Sequence, residues 1–390
     1  MAIETAIEVP RLISIDGLGD LFEALVAGGY RVIGPAVQDD AIVLRELSSA
    51  AELPSGWGVR LEPGGYQLRR RDDPAAFGHA AGPQSWKRFL HPPREKLWSA
   101  TRTAAGFEVS ENDDEPPRYA FLGVRPCDLR AITIQDRVVG QPGSRYEQRR
   151  AGAFIVAMNC TEPGETCFCA SMGTGPGVDP GAAGRTTAYD LALTELVDER
   201  GHRFLVDVGS PRGADIMAQV PSEAAGDDVR RARSAVEAAA DHMGRHLEAD
   251  GLRDLMAASH GAARWDDVAA RCLTCGNCTM ACPTCFCTSI EEVTDLTGEH
   301  AERWERWDSC FDLDFSYLHG GSVRPSAKSR YRQWLTHKLG TWHDQFGSSG
   351  CVGCGRCIVW CPVGIDLTEE CKALQAERDA AEGRAAEEES

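Results

Sequence analysis

An α+β fold is expected for this 390-residue chain: a mixed α/β domain over residues 1–225, a mostly α-helical domain over 226–375 and an acidic tail over 376–390. Three observations predict it. Two short apolar runs in the first half flank a segment that suits a helix. After about residue 227 the apolar spacing becomes helical. In the second half the spacing C-x2-C-x2-C-x3-C-P occurs twice.

In chain order, Ala24, Leu25 and Val26 lie in a helix that follows GLGDLF, and Arg31–Ile33 and Ala41–Leu44 read as strands. Glycine and proline break residues 53–84 into hairpins and loops. The runs Ala120–Val124 and Ala153–Ala157 read as buried strands, and Asp128–Asp136 between them as a helix. Strand, helix, strand makes a βαβ unit. Each strand is followed within three residues by a cysteine, Cys127 and Cys160, so both belong at the carboxyl edge of the sheet, where sites form in open α/β folds. Residues 170–188 read as loop, and Asp198–Gly201 as the turn of a hairpin. From 227 on, Val229, Ala232, Val236, Ala239 and Met243 share one helical face, which places the boundary near 222–228. The final GRAAEEES is expected to be disordered.

The net charge is −18, from 59 acidic against 41 basic residues, the wrong sign for gripping a phosphate backbone, so a nucleic-acid partner is not expected. No run of 18 apolar residues occurs, which argues against a membrane span. The first residues, MAIETAIEVP, lack a basic region followed by an apolar stretch, so a cytoplasmic location is expected. In that compartment 16 cysteines point to metal or redox chemistry and not to a disulfide framework.

The spacing selects the metal. The first copy of the motif is Cys272, Cys275, Cys278 and Cys282, then Pro283; the second is Cys351, Cys354, Cys357 and Cys361, then Pro362. Three thiolates two residues apart reach three corners of one [4Fe–4S] cubane, and the fourth cysteine serves the other cluster. The expected ligand sets are therefore Cys272, Cys275, Cys278 with Cys361, and Cys351, Cys354, Cys357 with Cys282. Gly276, Gly353 and Gly355 relax the loops and let backbone N–H groups point at sulfur. Zinc takes two ligand pairs around one ion, and a cysteine triplet with a following Cys-Pro leaves too many thiolates for that.

Cys127, Cys160, Cys167 and Cys169 make a second kind of set, open to three readings: a third [4Fe–4S] cluster, redox-active thiols or buried structural cysteines. Cys285, Cys287 and Cys310 pack behind the first cluster or join another metal site; Cys371 reads as inert. Arg324, Lys328, Arg330, Arg332 and Lys338 make 324–338 basic, which either tunes a cluster or docks an acidic partner, or is a solvated helix face. Trp304, Trp307, Trp334 and Trp342 read as core. GTGPG lacks the spacing of a dinucleotide fingerprint, and no catalytic residue is identified.

RPCDLRAI, TCFCASMGTGP, and DSCFDLDFSYLHGGSVRPS leading into GCVGCGRCIVWCPVGID resemble the beta subunit of cytoplasmic NAD(P)-linked NiFe sulfhydrogenases over about residues 10–370, and less closely the A subunit of anaerobic sulfite reductase. The resemblance implies an electron-transfer subunit of a hydrogenase complex. Its partners would be a flavin- and NAD(P)-binding gamma subunit, an iron–sulfur small subunit and a NiFe large subunit. The alternative it leaves open is a catalytic subunit for sulfur, polysulfide or sulfite reduction.

Overall fold

The computed structural model describes residues 10–111, 114–178 and 189–388. Strand β1 (Arg11–Ser14) runs into helix α1 (Ile15–Ala27), whose N-terminus is capped by the Ser14 hydroxyl accepting from the Gly17 N–H at 3.1 Å. The helix buries Leu18, Leu21, Phe22 and Leu25, one stripe at helical spacing, against the main sheet. Strands β2 (Arg31–Gln38) and β3 (Ala41–Glu46) form the first hairpin and β4 (Trp57–Glu62) with β5 (Gly65–Arg70) the second. The short helix α2 (Lys87–Leu90) precedes the hairpin β6 (Arg94–Thr103) and β7 (Gly106–Glu111).

Next comes the βαβ unit. Strand β8 (Tyr119–Val124) leads through α3 (Pro126–Val138) and α4 (Arg145–Gly152) to β9 (Phe154–Met158), and the two strands are parallel. All five residues of β9 are buried, as are Ala120–Val124 of β8, because helices or loops cover both faces. Strands β10 (Leu191–Asp198) and β11 (Gly201–Val208), helix α5 (Pro211–Met217) and the two-residue strand β12 (Glu223–Ala224) complete an eight-stranded sheet. Its order is β12-β1-β11-β10-β9-β8-β2-β3, with β10, β9, β8 and β2 parallel and antiparallel strands at both edges. Of the stretch 170–188 expected to be loop, residues 179–188 lie outside the described residues.

The expected boundary at 225/226 falls inside continuous packing. Helix α6 (Asp228–Asp241) buries Ala232 with Leu196 and Leu205 of the main sheet. The helical half then runs α7 (Leu252–Ala258), α8 (Arg264–Arg271), α9 (Asn277–Met280), α10 (Ala327–Thr336), α11 (Trp342–Phe346), α12 (Arg356–Val359) and α13 (Leu367–Glu388). Its core gathers Trp265, Phe311, Tyr331, Trp334 and Leu339 around the cysteines.

Two features depart from the sequence reading. Between the two motifs stands a hairpin, β13 (Thr288–Thr294) and β14 (His300–Trp307), and β14 pairs antiparallel with β6 from His300↔Thr101 to Arg306↔Arg94. One four-stranded sheet, β13-β14-β6-β7, therefore joins the two halves. Trp304 and Trp307 sit on it half-buried, each under a cation: Arg94 at 4.1 Å and Lys87 at 3.7 Å. Trp334 and Trp342 are in the core, as expected. The second departure is the tail: α13 continues to Glu388 through the stretch expected to be disordered, because Ala, Glu and Arg favour a helix and an Arg378–Glu382 pair spans one turn. Among the described residues no helix is long and apolar enough to cross a membrane.

Candidate iron–sulfur centres

Cys272 and Cys275 lie on the loop between α8 and α9, Cys278 lies in α9 itself, and Cys361 follows α12 about 80 residues later in the chain. All four line one pocket of about 440 Å³, its open mouth included, whose other walls include Cys357, Phe311, Tyr331, Trp334 and Ile365. The first three cysteines of one motif and the last of the other thus meet, as the spacing requires for exchanged ligands.

The two loops repeat one backbone geometry. Thr274 and Gly353 hold the same motif position and both are left-handed, at φ 53° and 66°. In each loop that turn aims an N–H at a sulfur: Thr274 donates to Cys272 Sγ and Gly353 to Cys351 Sγ, both at 3.4 Å. Gly353 has no room for a side chain. A Cβ there would stand 2.6 Å from the backbone of Cys169, and one on Gly355 would stand 2.4 Å from the Thr166 carbonyl. The CFC segment of the first half is therefore docked directly on the second motif, and Phe168 N–H donates to the Gly353 carbonyl at 2.8 Å.

Besides burial, the nearby charge of Cys282 raises each of Cys351, Cys354 and Cys357. Burial pushes Cys351 and Cys354 up to about 12. Cys282 goes the other way. The Cys285 thiol donates to it and the Lys338 ammonium stands beside it, which hold it well below the usual thiol range. Lys338 Nζ donates to Cys282 Sγ at 3.3 Å, to Thr284 Oγ1 at 3.0 Å and to the Gly350 carbonyl at 3.2 Å, and the side chain is buried. Burial opposes its charge, but the sulfurs of Cys282, Cys285 and Cys351 outweigh that and raise the ammonium above its ordinary range. Three of the other four cations of the 324–338 segment are spent elsewhere: Lys328 pairs with Asp266, Arg330 donates to the Phe311 carbonyl and Arg332 to the His260 carbonyl. A buried cation on a ligand sulfur favours the more negative, reduced centre. Lys338→Met is expected to lower the potential of the second centre by about 60 mV, a tenfold step for one electron. Redox-poised EPR reads it, and an unchanged potential would contradict the role.

Arg356 lies between Cys354 and Cys357 and makes a bidentate pair with Asp128 on α3, at 2.7 and 2.8 Å, both side chains at most 4% exposed. It locks the second motif to the βαβ unit.

The first-half cysteines also meet. Cys127 opens α3 at the end of β8 and Cys160 follows β9, both at the carboxyl edge of parallel strands. With Cys167 and Cys169 they line a pocket of about 370 Å³, its open mouth included, whose wall also includes Cys354. Cys169 hydrogen-bonds Cys127 and burial adds to that, holding Cys127 well above the ordinary thiol range; burial raises Cys160 and Cys167. The buried Arg125 guanidinium stands at the same cavity, anchored by the Phe77, His79 and Asn159 carbonyls and, among the described residues, by no carboxylate. A cation without a carboxylate suits a wall around anionic sulfur.

Cys371 is buried in the apolar core of the helical half, in the same cluster as Cys351. The sequence reading named Lys338 only as one cation of a basic segment, and Arg356, Asp128 and Arg125 escaped it as site residues. Their partners lie far away in the chain, and no local spacing marks them.

Residues 271–365 match the family model described as a 4Fe-4S dicluster domain. The chain is similar to sulfhydrogenase 2 subunit beta of Pyrococcus furiosus, with 33% identity over 286 residues, 72% of this chain and 79% of that protein. No solved structure matches.

Proposed function

The chain belongs to the sulfhydrogenase beta-subunit family, and from that premise we propose that it is an iron–sulfur subunit relaying single electrons between a flavin- and NAD(P)-binding subunit and a NiFe hydrogenase module. The reading extends to cytoplasmic location and to a complex with a gamma subunit, an iron–sulfur small subunit and a NiFe large subunit. When bound, the clusters supply one-electron uptake and release.

The observation that carries it is the contiguity of the three cysteine sets. Cys354 of the second set lines the first-half cavity, and Cys357 lines the cavity of Cys272, Cys275, Cys278 and Cys361. The second set thus stands between the other two, which supports a linear path. We assign Cys272, Cys275, Cys278 and Cys361 to one [4Fe–4S] cluster, Cys351, Cys354, Cys357 and Cys282 to another, and Cys127, Cys160, Cys167 and Cys169 to a third. The residues do the rest of the work. Backbone N–H groups and Lys338 stabilise negative charge on sulfur, and the apolar walls exclude water. Cys275 is exposed beside Leu273, which is 60% exposed, so the first set opens to the surface where a partner's centre can approach.

The isolated, cluster-loaded chain is expected to take up electrons from dithionite, seen by EPR, yet to oxidise neither hydrogen nor NAD(P)H until partner subunits are restored. Oxidation of either by the chain alone would overturn the relay.

A further inference from the structure

Cys287 and Cys310 are thiols that none of the cluster sets uses. Cys287 sits immediately before β13, and Cys310 three residues after β14. The hairpin register brings the two ends together: Thr288 pairs with Trp307, and Asp308 N–H donates to the Cys287 carbonyl at 2.8 Å. The Cys310 thiol and its backbone N–H both reach the Cys287 sulfur. The neighbouring Cys285 is engaged otherwise, donating to Cys282. Cys287 and Cys310 are each partly accessible, and Cys310 packs against the same apolar cluster as Cys272 and Cys278. Two buried ammonium groups face this region: Lys338, and Lys87, whose Nζ donates to the Cys285 carbonyl at 2.9 Å. Neither has a carboxylate partner among the described residues.

We propose that Cys287 and Cys310 form a redox-active dithiol, a two-electron centre set beside the one-electron path. In oxidation the Cys287 thiolate and the Cys310 thiol form one S–S bond. The Cys310 proton is released, and two electrons leave, one to each of two oxidised [4Fe–4S] clusters; reduction reverses every step. Cys287 and Cys310 line neither of the two cysteine cavities above, and with Cys285 engaged by Cys282 they are two thiols, too few for the four ligands of a cubane, so a dithiol suits them better than cluster ligation. The positive field of Lys338 and Lys87 favours the thiolate that must attack. The proposal rests on the cluster reading for its electron acceptors, but its geometry does not.

The test poises the anaerobic complex at a series of potentials with redox mediators, quenches it with acid and N-ethylmaleimide, and weighs the peptides carrying Cys287 and Cys310. The expected result is a linked peptide that accumulates on a two-electron curve as the potential rises. It should be absent from Cys287→Ser and Cys310→Ser, and both variants should keep the iron content of the parent. Two results overturn the proposal: both thiols alkylated at every potential, or loss of about four irons per chain from either variant, which would make these residues cluster ligands. Absence of iron from the parent would instead sink the cluster reading, and the linked peptide would still report on the pair.

Discussion

Replacing Cys361 with alanine is expected to remove about four irons and four sulfides per chain from the centre built on Cys272, Cys275 and Cys278, although Cys361 belongs to the other motif. The reason is position. Cys361 lines the cavity of the first motif, and its Sγ is held there by the Ile365 N–H at 3.3 Å. The reciprocal Cys282→Ala should empty the centre of Cys351, Cys354 and Cys357 and leave the first intact. EPR of dithionite-reduced variants separates the two outcomes, because each should retain a different signal. If Cys361→Ala instead spared the first centre and emptied its own motif's, the exchange of ligands would be wrong. If both variants lost all iron through misfolding, the retained-signal prediction would fail in the same spectra.

Asp128→Ala is expected to destabilise the chain by about 3–5 kcal/mol, the cost of leaving one partner of a buried ion pair uncompensated. The guanidinium of Arg356 is almost wholly buried there; among the described residues it reaches, besides Asp128, only the Gly82 carbonyl, at 3.1 Å. The loss should fall on the contact between the βαβ unit and the second motif, where Gly353 and Gly355 leave no slack. Anaerobic denaturant titration measures it. The double variant Asp128→Leu with Arg356→Met should lose much less, since a pair replaced by apolar groups of similar volume leaves no buried charge. A single variant within about 1 kcal/mol of the parent would show that the pair is screened as surface pairs are.

The parts of the fold that could be read in advance are those with a local signature. Strands β8 and β9 stand in the middle of a parallel stack, so each is a continuous apolar run, and the helix between them follows from its own spacing. The positions of Cys127 and Cys160 at one sheet edge follow from that topology alone. The proposed exchange of Cys282 and Cys361 comes from the cysteine spacing. The β13–β14 hairpin had no such mark. Residues 288–307 alternate weakly and are rich in Glu and Arg, and the strand that orders them, β6, lies about 200 residues earlier. A helical period on either side made that stretch look like more of the same. Lys338 illustrates a further limit: it read as one of five cations on a basic segment, and only tertiary packing separates it from Lys328, which is half-buried and pairs with Asp266. The acidic tail misled through composition, since high charge near a terminus suggests disorder while the same residues are good helix formers.

Iron and acid-labile sulfide, counted per chain on anaerobically prepared protein together with zinc, test the central claim most directly. At least about eight of each, or about twelve with Cys127, Cys160, Cys167 and Cys169 filled, is the predicted result. A colourless preparation in which zinc, or no metal, accompanies the motif cysteines would contradict it.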